Sequence, residues 1–273
     1  VLSNGSRVVM KPTDFKNDEI LFTSFSPGGH SLVEDEDYVA ASTATAVLSE
    51  SGLGKFTQIE LGKKLAGKVV RVSSGIGTRT ESVSGSASPQ DLETLFQLIY
   101  LKFMAPRADS SAFVAFQDRI RGSLQNRHLS PQAAFNDTVL VTMSQYHFRS
   151  RPVSMQMLDE MDLQRSLEIY KDRFADASDF TFVLVGNFQP EKIRPLVETY
   201  LGSLPALIRN ETPRNVSALP PTGIVEKTVK RGQEPKSQTL IRFTGEFDWQ
   251  DRLHRYRFDS MVGILRIKLR EVL

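Results

Sequence analysis

The chain opens with two short, mainly apolar runs that read as strands. The first, "LSNGSRVVMKP", starts at a turn-forming Asn4-Gly5 pair and closes at Pro12, and the second, "EILFTSFS", is ended by the pair Gly28-Gly29. A helix is predicted from about Asp37 to Ser51, stopped by Gly52 and Gly54. Thr57 with Glu60 three positions on forms a capping box, which opens a second, short helix. The stretch "KVVRVSSGIGTRTESVSGSAS" is β-branched and Ser-rich but broken by Gly75, Gly77 and Gly85, a pattern that predicts a hairpin or meander with bulges. Ser88-Pro89 then open an amphipathic helix whose Leu92, Leu95, Phe96, Ile99 and Phe103 share one face, which should pack on the sheet. Further helices are expected from Ser110 to about Asn126, from Ser130 to about His147, and over "DLQRSLEIYKDRFAD". "DFTFVLVGNF" is the clearest strand, so continuously apolar that it predicts burial on both faces. Pro190 opens a helix with Ile193, Leu196, Val197, Tyr200 and Leu201 on its inner side.

"IRNETPRNVSALPPTG" has the polar, Pro-rich and aperiodic composition of a linker, so the expected organisation is a first domain at 1–207, a linker at 208–223 and further structure at 224–273. Beyond the linker, "IVEKTVKRG", "SQTLIRFTGEF" and a helix from about Trp249 repeat the order strand, strand, helix of the first 52 residues. Two copies of one unit are implied, the second unfinished. The chain begins at "VLSNG" without Met and stops in mid-pattern at "KLREVL", so it is expected to be a piece of something longer.

Composition narrows the chemistry. With 273 residues, 40% hydrophobic and 24% charged, the chain can bury cores without staples. Its 34 basic and 32 acidic residues are mixed along the chain, so the net charge of +2 argues against a nucleic-acid partner. The absence of cysteine removes disulfides, thiolate zinc sites and cysteine nucleophiles together. No window approaches the roughly 18 apolar residues that predict a membrane span. Of the four histidines, His30, His128, His147 and His254, no two have the spacing of paired ligands on one helix turn. His30 is expected to be a solvated loop residue beside the acidic run 34–37, a run explained by its place at a helix N-terminus. "SGLGKFT" fails the Walker pattern, because position 49 is Ser and Phe56 separates Lys55 from Thr57. "GIGTRT" lacks the third glycine of a dinucleotide fingerprint, and no G-x-S-x-G elbow occurs. The basic residues Arg252, Arg255, Arg257, Arg266, Lys268 and Arg270 interleave with Tyr256, Leu265, Leu269 and Val272, as on a packed helix with a solvated basic face.

Taken together, "LSNGSRVV", "SPGG", "YKDRFADASDFTFVLVGNF", "IRPLVETYLGSLP", "VKRGQEPKSQTLIRFTG" and "LRIKLREVL" resemble the pitrilysin/insulinase family of inverted zincins. The resemblance implies an α+β fold: a mixed, mainly antiparallel sheet with helices packed on one face, followed by the start of a second similar domain. Active members carry His-x-x-Glu-His on the helix after the second strand, where two imidazoles bind zinc and the glutamate activates water. The register of the resemblance sets those histidines and that glutamate on Ser42, Ala46 and Thr45, none of which can hold zinc or take a proton at neutral pH. The chain contains no His-x-x-Glu-His and looks like the metal-free half of such a peptidase. No catalytic, metal-binding or substrate-binding residue is assigned, and the Arg and Tyr that the family uses to position substrate are placed on no residue here, Arg270 included. Zinc is expected only in the N-terminal half of the parent. The expected role is a wall of a peptide-enclosing chamber, alone inactive, with a peptide substrate as partner and homo-oligomerisation left open. The alternatives are a catalytically dead partner subunit, as in the mitochondrial processing peptidase group, or an unrelated α+β enzyme using His30 with nearby carboxylates. Family analogy points to the periplasm, with the cytoplasm left open.

Overall fold

In the computed structural model every residue is described except His128, Pro235 and Leu273. The chain divides into two compact units, Val1–Gly232 and Gln233–Leu273. The first runs β1 (Arg7–Pro12), β2 (Ile20–Pro27), α1 (Tyr38–Ser51), α2 (Gln58–Lys64), β3 (Val70–Ile76), β4 (Thr80–Ala87), α3 (Leu92–Met104), α4 (Ser110–Arg127), α5 (Pro131–Met143), α6 (Met155–Asp159), α7 (Leu163–Arg173), β5 (Thr181–Gly186) and α8 (Pro190–Leu196). The strands form one sheet in the order β1-β5-β2-β4-β3. Only β1 and β5 pair in parallel, and the other three pairings are antiparallel.

This is the α+β arrangement expected, with its helices on one face. Ile20, Phe22, Val83, Phe182 and Leu184 point from the strands into a core completed by Ala44 and Leu48 of α1, Leu95, Phe96, Ile99 and Phe103 of α3, Tyr170 of α7 and Ile193 of α8. Phe103 meets Phe174 and Phe180 edge-on at centroid distances of 5.3 and 5.1 Å, a favourable aromatic geometry. The Thr57–Glu60 capping box is present, and the Ser88 hydroxyl caps the turn that leads into α3.

Four local expectations are corrected. The β3–β4 register runs unbroken from Val70↔Ala87 to Ile76↔Glu81, so the glycines bring no bulge. Gly85 is needed for close approach instead: a Cβ there would lie 2.4 Å from the Arg71 carbonyl oxygen and 3.1 Å from Leu95. Strand β5 is not buried on both faces, because only Phe182, Leu184 and Gly186 are buried while Thr181, Val183 and Val185 are half-buried. Helix α5 stops at Met143 rather than near His147, and the chain turns left-handed at Gln145 and Tyr146. Finally, no strand forms at 224–248 among the described residues. An isolated two-stranded hairpin is marginal in water, and those segments have no sheet to join here.

The second unit consists of irregular chain and α9 (Arg252–Val272), capped by Asp251, whose carboxylate accepts from the Leu253 and His254 amides at 2.8 and 3.2 Å. His254 stacks on Phe247 at 5.4 Å, with Trp249 and Phe258 against the same ring.

Candidate functional site

The junction between β2 and α1 is where an inverted zincin keeps its chemistry. Gly28 (φ 142°) and Gly29 (φ 62°) turn the chain out of the sheet. A Cβ on Gly29 would sit 2.3 Å from the Gly77 carbonyl oxygen, so only glycine fits. Amides of Gly28, His30 and Ser31 bond to Arg79, Gly77 and Thr78 at 2.8, 2.9 and 2.8 Å, clamping the junction to the β3–β4 turn. Helix α1 then buries Val39, Ala40, Ala41, Ala44, Val47, Leu48 and Ser51. Its small side chains let α7 come close enough for the buried Ser166 hydroxyl to donate to the Ala40 carbonyl at 2.9 Å.

Ser42, Thr45 and Ala46 lie on the less buried side of this helix. The Ser42 hydroxyl, like that of neighbouring Thr43, is turned back onto the Val39 carbonyl of its own helix, at 3.2 and 2.6 Å. Among the described residues no three His, Cys, Asp or Glu side chains are grouped to hold a metal ion. The donor set does not fit zinc, which takes imidazole, thiolate or carboxylate ligands.

His30 is not the solvated loop residue expected. It is only 9% exposed, edge-on to Tyr38 at 5.3 Å, with Nδ1 unpartnered. Burial and then the charge of Arg149 hold its pKa below the ordinary imidazole value. Arg149 donates to the His30 and Val33 carbonyls at 2.9 and 2.6 Å and to Asp35 at 2.7 Å, which fastens the junction to the chain beyond α5. His147 caps a short turn by accepting from the Arg149 amide, and His128 lies outside the described residues.

The strongest electrostatic feature lies beneath the glycine pair. Glu81 of β4 is completely buried; its Oε1 accepts from Arg173 at 3.2 Å and its Oε2 has no partner. Burial raises its pKa to about 7, against the pull of the Gly29 amide and Arg173. Arg173 also grips Glu211 at 2.8 and 3.0 Å and Asp172 at 2.7 Å. Burial alone would lower the Arg173 pKa, but those carboxylates raise it. Asp176 accepts from the Leu207 and Arg209 amides at 2.9 and 2.5 Å, and Arg214 bonds to Ser31, Val33 and Glu34. Residues 208–214, where the linker is expected to start, are therefore tied to the body as a strap together with Leu207.

Opposite the helices the sheet face is open. Strand register sets its outward side chains in three rows: Lys11, Val185, Leu21, Ser86, Arg71; then Val9, Val183, Thr23, Ser84, Ser73; then Arg7, Thr181, Phe25, Ser82, Gly75. A shallow groove of about 550 Å³ lies over the first two rows. Val9, Leu21 and Phe25 are each nearly half exposed, and Arg71 donates to Ser86 at 2.9 Å. This face offers hydrogen bonds, apolar contact and positive charge without a grouped nucleophile and base. Sequence reasoning did not find it, although the weakly polar alternation of β2 is its signature.

The fold defines the class: an α+β module with a mixed five-stranded sheet covered by helices on one face. Residues 161–266 match the family described as the peptidase M16 inactive domain. A zinc protease PQQL-like protein of Arabidopsis thaliana is 30% identical over 207 residues, covering 75% of this chain and 19% of that protein. The probable zinc protease PqqL of Haemophilus influenzae is 22% identical over 274 residues, covering 100% of this chain and 29% of its own length. The crystal structure of the periplasmic protease PqqL from Escherichia coli superposes with a TM-score of 0.69 at 22% identity, over 85% of this chain and 26% of that one. The chain belongs to the pitrilysin/insulinase family, peptidase M16, as part of its metal-free, inactive C-terminal half. It spans less than a third of the length of these relatives, and the zinc of the family belongs to the other half.

Proposed function

We propose that this chain forms part of the wall of a peptide-enclosing chamber in a zinc-dependent metalloendopeptidase, with cleavage carried out by the zinc-bearing half. The observation that carries this reading is the open sheet face, which presents apolar side chains, hydroxyls and positive charge on the side of the sheet opposite α1, a helix that contains no histidine. A wall contributes contacts to peptide and exclusion of water, so it acts on substrate binding and orientation rather than on bond breaking. By analogy with the E. coli relative described as periplasmic, the parent is assigned to the periplasm.

Two measurements test this. The 273-residue chain should leave a fluorogenic peptide intact with or without added zinc. In the full-length parent, Thr23→Asp with Val183→Asp on the open face should raise KM for peptide about tenfold, a loss of about 1.4 kcal/mol of binding, while zinc content stays constant. Zinc-dependent turnover by the chain alone, or an unchanged KM in the double variant, would count against the reading.

A further inference from the structure

The open face is sorted by charge. All its charged strand residues are cations: Lys11 and Arg71 stand at opposite rims of one row, and Arg7 ends another. No Asp or Glu lies in the three rows. In the β1–β2 connection, Glu19 is 3.0 Å from Lys16 and 3.9 Å from Arg71, so it offsets Arg71 only in part. Among the described residues Arg7 and Lys11 make no ion pair, and the Arg71 side chain is 77% exposed. Between the rims lie Val185, Leu21 and Val183, with the hydroxyls of Thr23, Ser73 and Ser84.

We propose that this face holds an extended polypeptide segment that carries two acidic side chains about six residues apart with apolar ones between them. The inference rests on the chamber-wall reading and supplies its substrate class. Adjacent strands are about 4.8 Å apart, so the four intervals from β1 to β3 separate the Cα atoms of Lys11 and Arg71 by about 19 Å, and the long side chains of both adjust to a ligand within that span. An extended chain rises about 3.3 Å per residue, so a segment lying across the strands reaches both cations with carboxylates about six residues apart. Apolar side chains between those carboxylates meet Leu21, Val183 and Val185, and the hydroxyls satisfy the segment's backbone groups. A basic segment meets like charge at both rims and is rejected.

The test uses the full chain and two labelled peptides of about fourteen residues that share their apolar residues. One carries Glu, the other Lys, at two positions about six residues apart. Fluorescence anisotropy should show the Glu peptide binding at least about tenfold more tightly at about 20 mM salt, with the gap narrowing at about 200 mM. Lys11→Glu with Arg71→Glu should reverse the preference, and Lys11→Gln with Arg71→Gln should abolish it; circular dichroism checks that each variant is folded. Equal affinity for the two peptides would overturn charge selection yet leave the wall reading standing. If the Glu peptide binds selectively but ignores both the charge changes and Leu21→Asp, it binds elsewhere, which overturns the proposal. Failure of both peptides to bind overturns the proposal, while the KM measurement above judges the wall reading separately.

Discussion

Glu81 shows how a single residue can carry a pH dependence that its sequence context hides. Its folded pKa of about 7 lies above the ordinary glutamate value of 4.5, so the native state holds a proton that the unfolded chain has released. Its contribution to stability is therefore complete below pH 4.5 and is lost as pH rises through about 7, at most about 3 kcal/mol across that window. His30 acts in the opposite sense: its lowered pKa means that stability falls as pH drops below 6.5. The two are separated by comparing urea midpoints at pH 5 and pH 8 for the parent chain and Glu81→Gln. The variant should lose the decline between those values, and an unchanged decline would place its origin elsewhere. Neither group could be read from sequence, because Arg173 is 92 positions from Glu81 and the burial of His30 depends on Arg149. His30 next to "EDED" has the appearance of a solvated loop until α1 and the chain after α5 close over it.

Elements were more legible than residues. Hydrophobic spacing and capping located β1, β2, α1, α2, α3, α7 and β5, since each depends on signals within its own few turns. The composition of α1 has a double reason. The resemblance to an active zincin helix gives the expectation of missing chemistry, whereas the packing explains why small residues are needed: Ala41 and Ala44 are 0% exposed, and α7 approaches to hydrogen-bond distance at Ala40. Ala44→Leu should therefore cost about 1–3 kcal/mol through overpacking, read as a lower urea midpoint. Ala46→Leu, on the exposed side of the same helix, should change stability by less than about 0.5 kcal/mol. Equal effects at the two positions would refute this account of the helix. The start of α5 at the Ser130 cap is legible, but its C-terminal end and the faces of β5 are not, because a left-handed turn and a one-sided helical layer are set by neighbours, not by local pattern.

At the scale of the whole molecule, the first unit contains the sheet, its core and the strap, and thus all the parts needed to fold by itself. A chain ending at Gly232 should keep cooperative unfolding, with a Tm within about 2 °C of the full chain by calorimetry. A large loss of Tm would show that residues 233–273 belong to its core. The composition of 208–223 predicts a linker, but the strap's ties through Glu211 and Arg214 begin inside that stretch. Polar, Pro-rich sequence reveals the lack of regular structure, not whether buried partners hold it in place.

By itself the sequence determined the order of strands and helices in the first unit, the family resemblance and the absence of histidine from α1, because these are matters of local spacing and residue identity. Tertiary structure decided which face of the sheet stays open, that its strand charges are all positive, and that Glu81 and His30 are buried. Those properties arise from pairing between strands distant in the chain, so no window of sequence contains them.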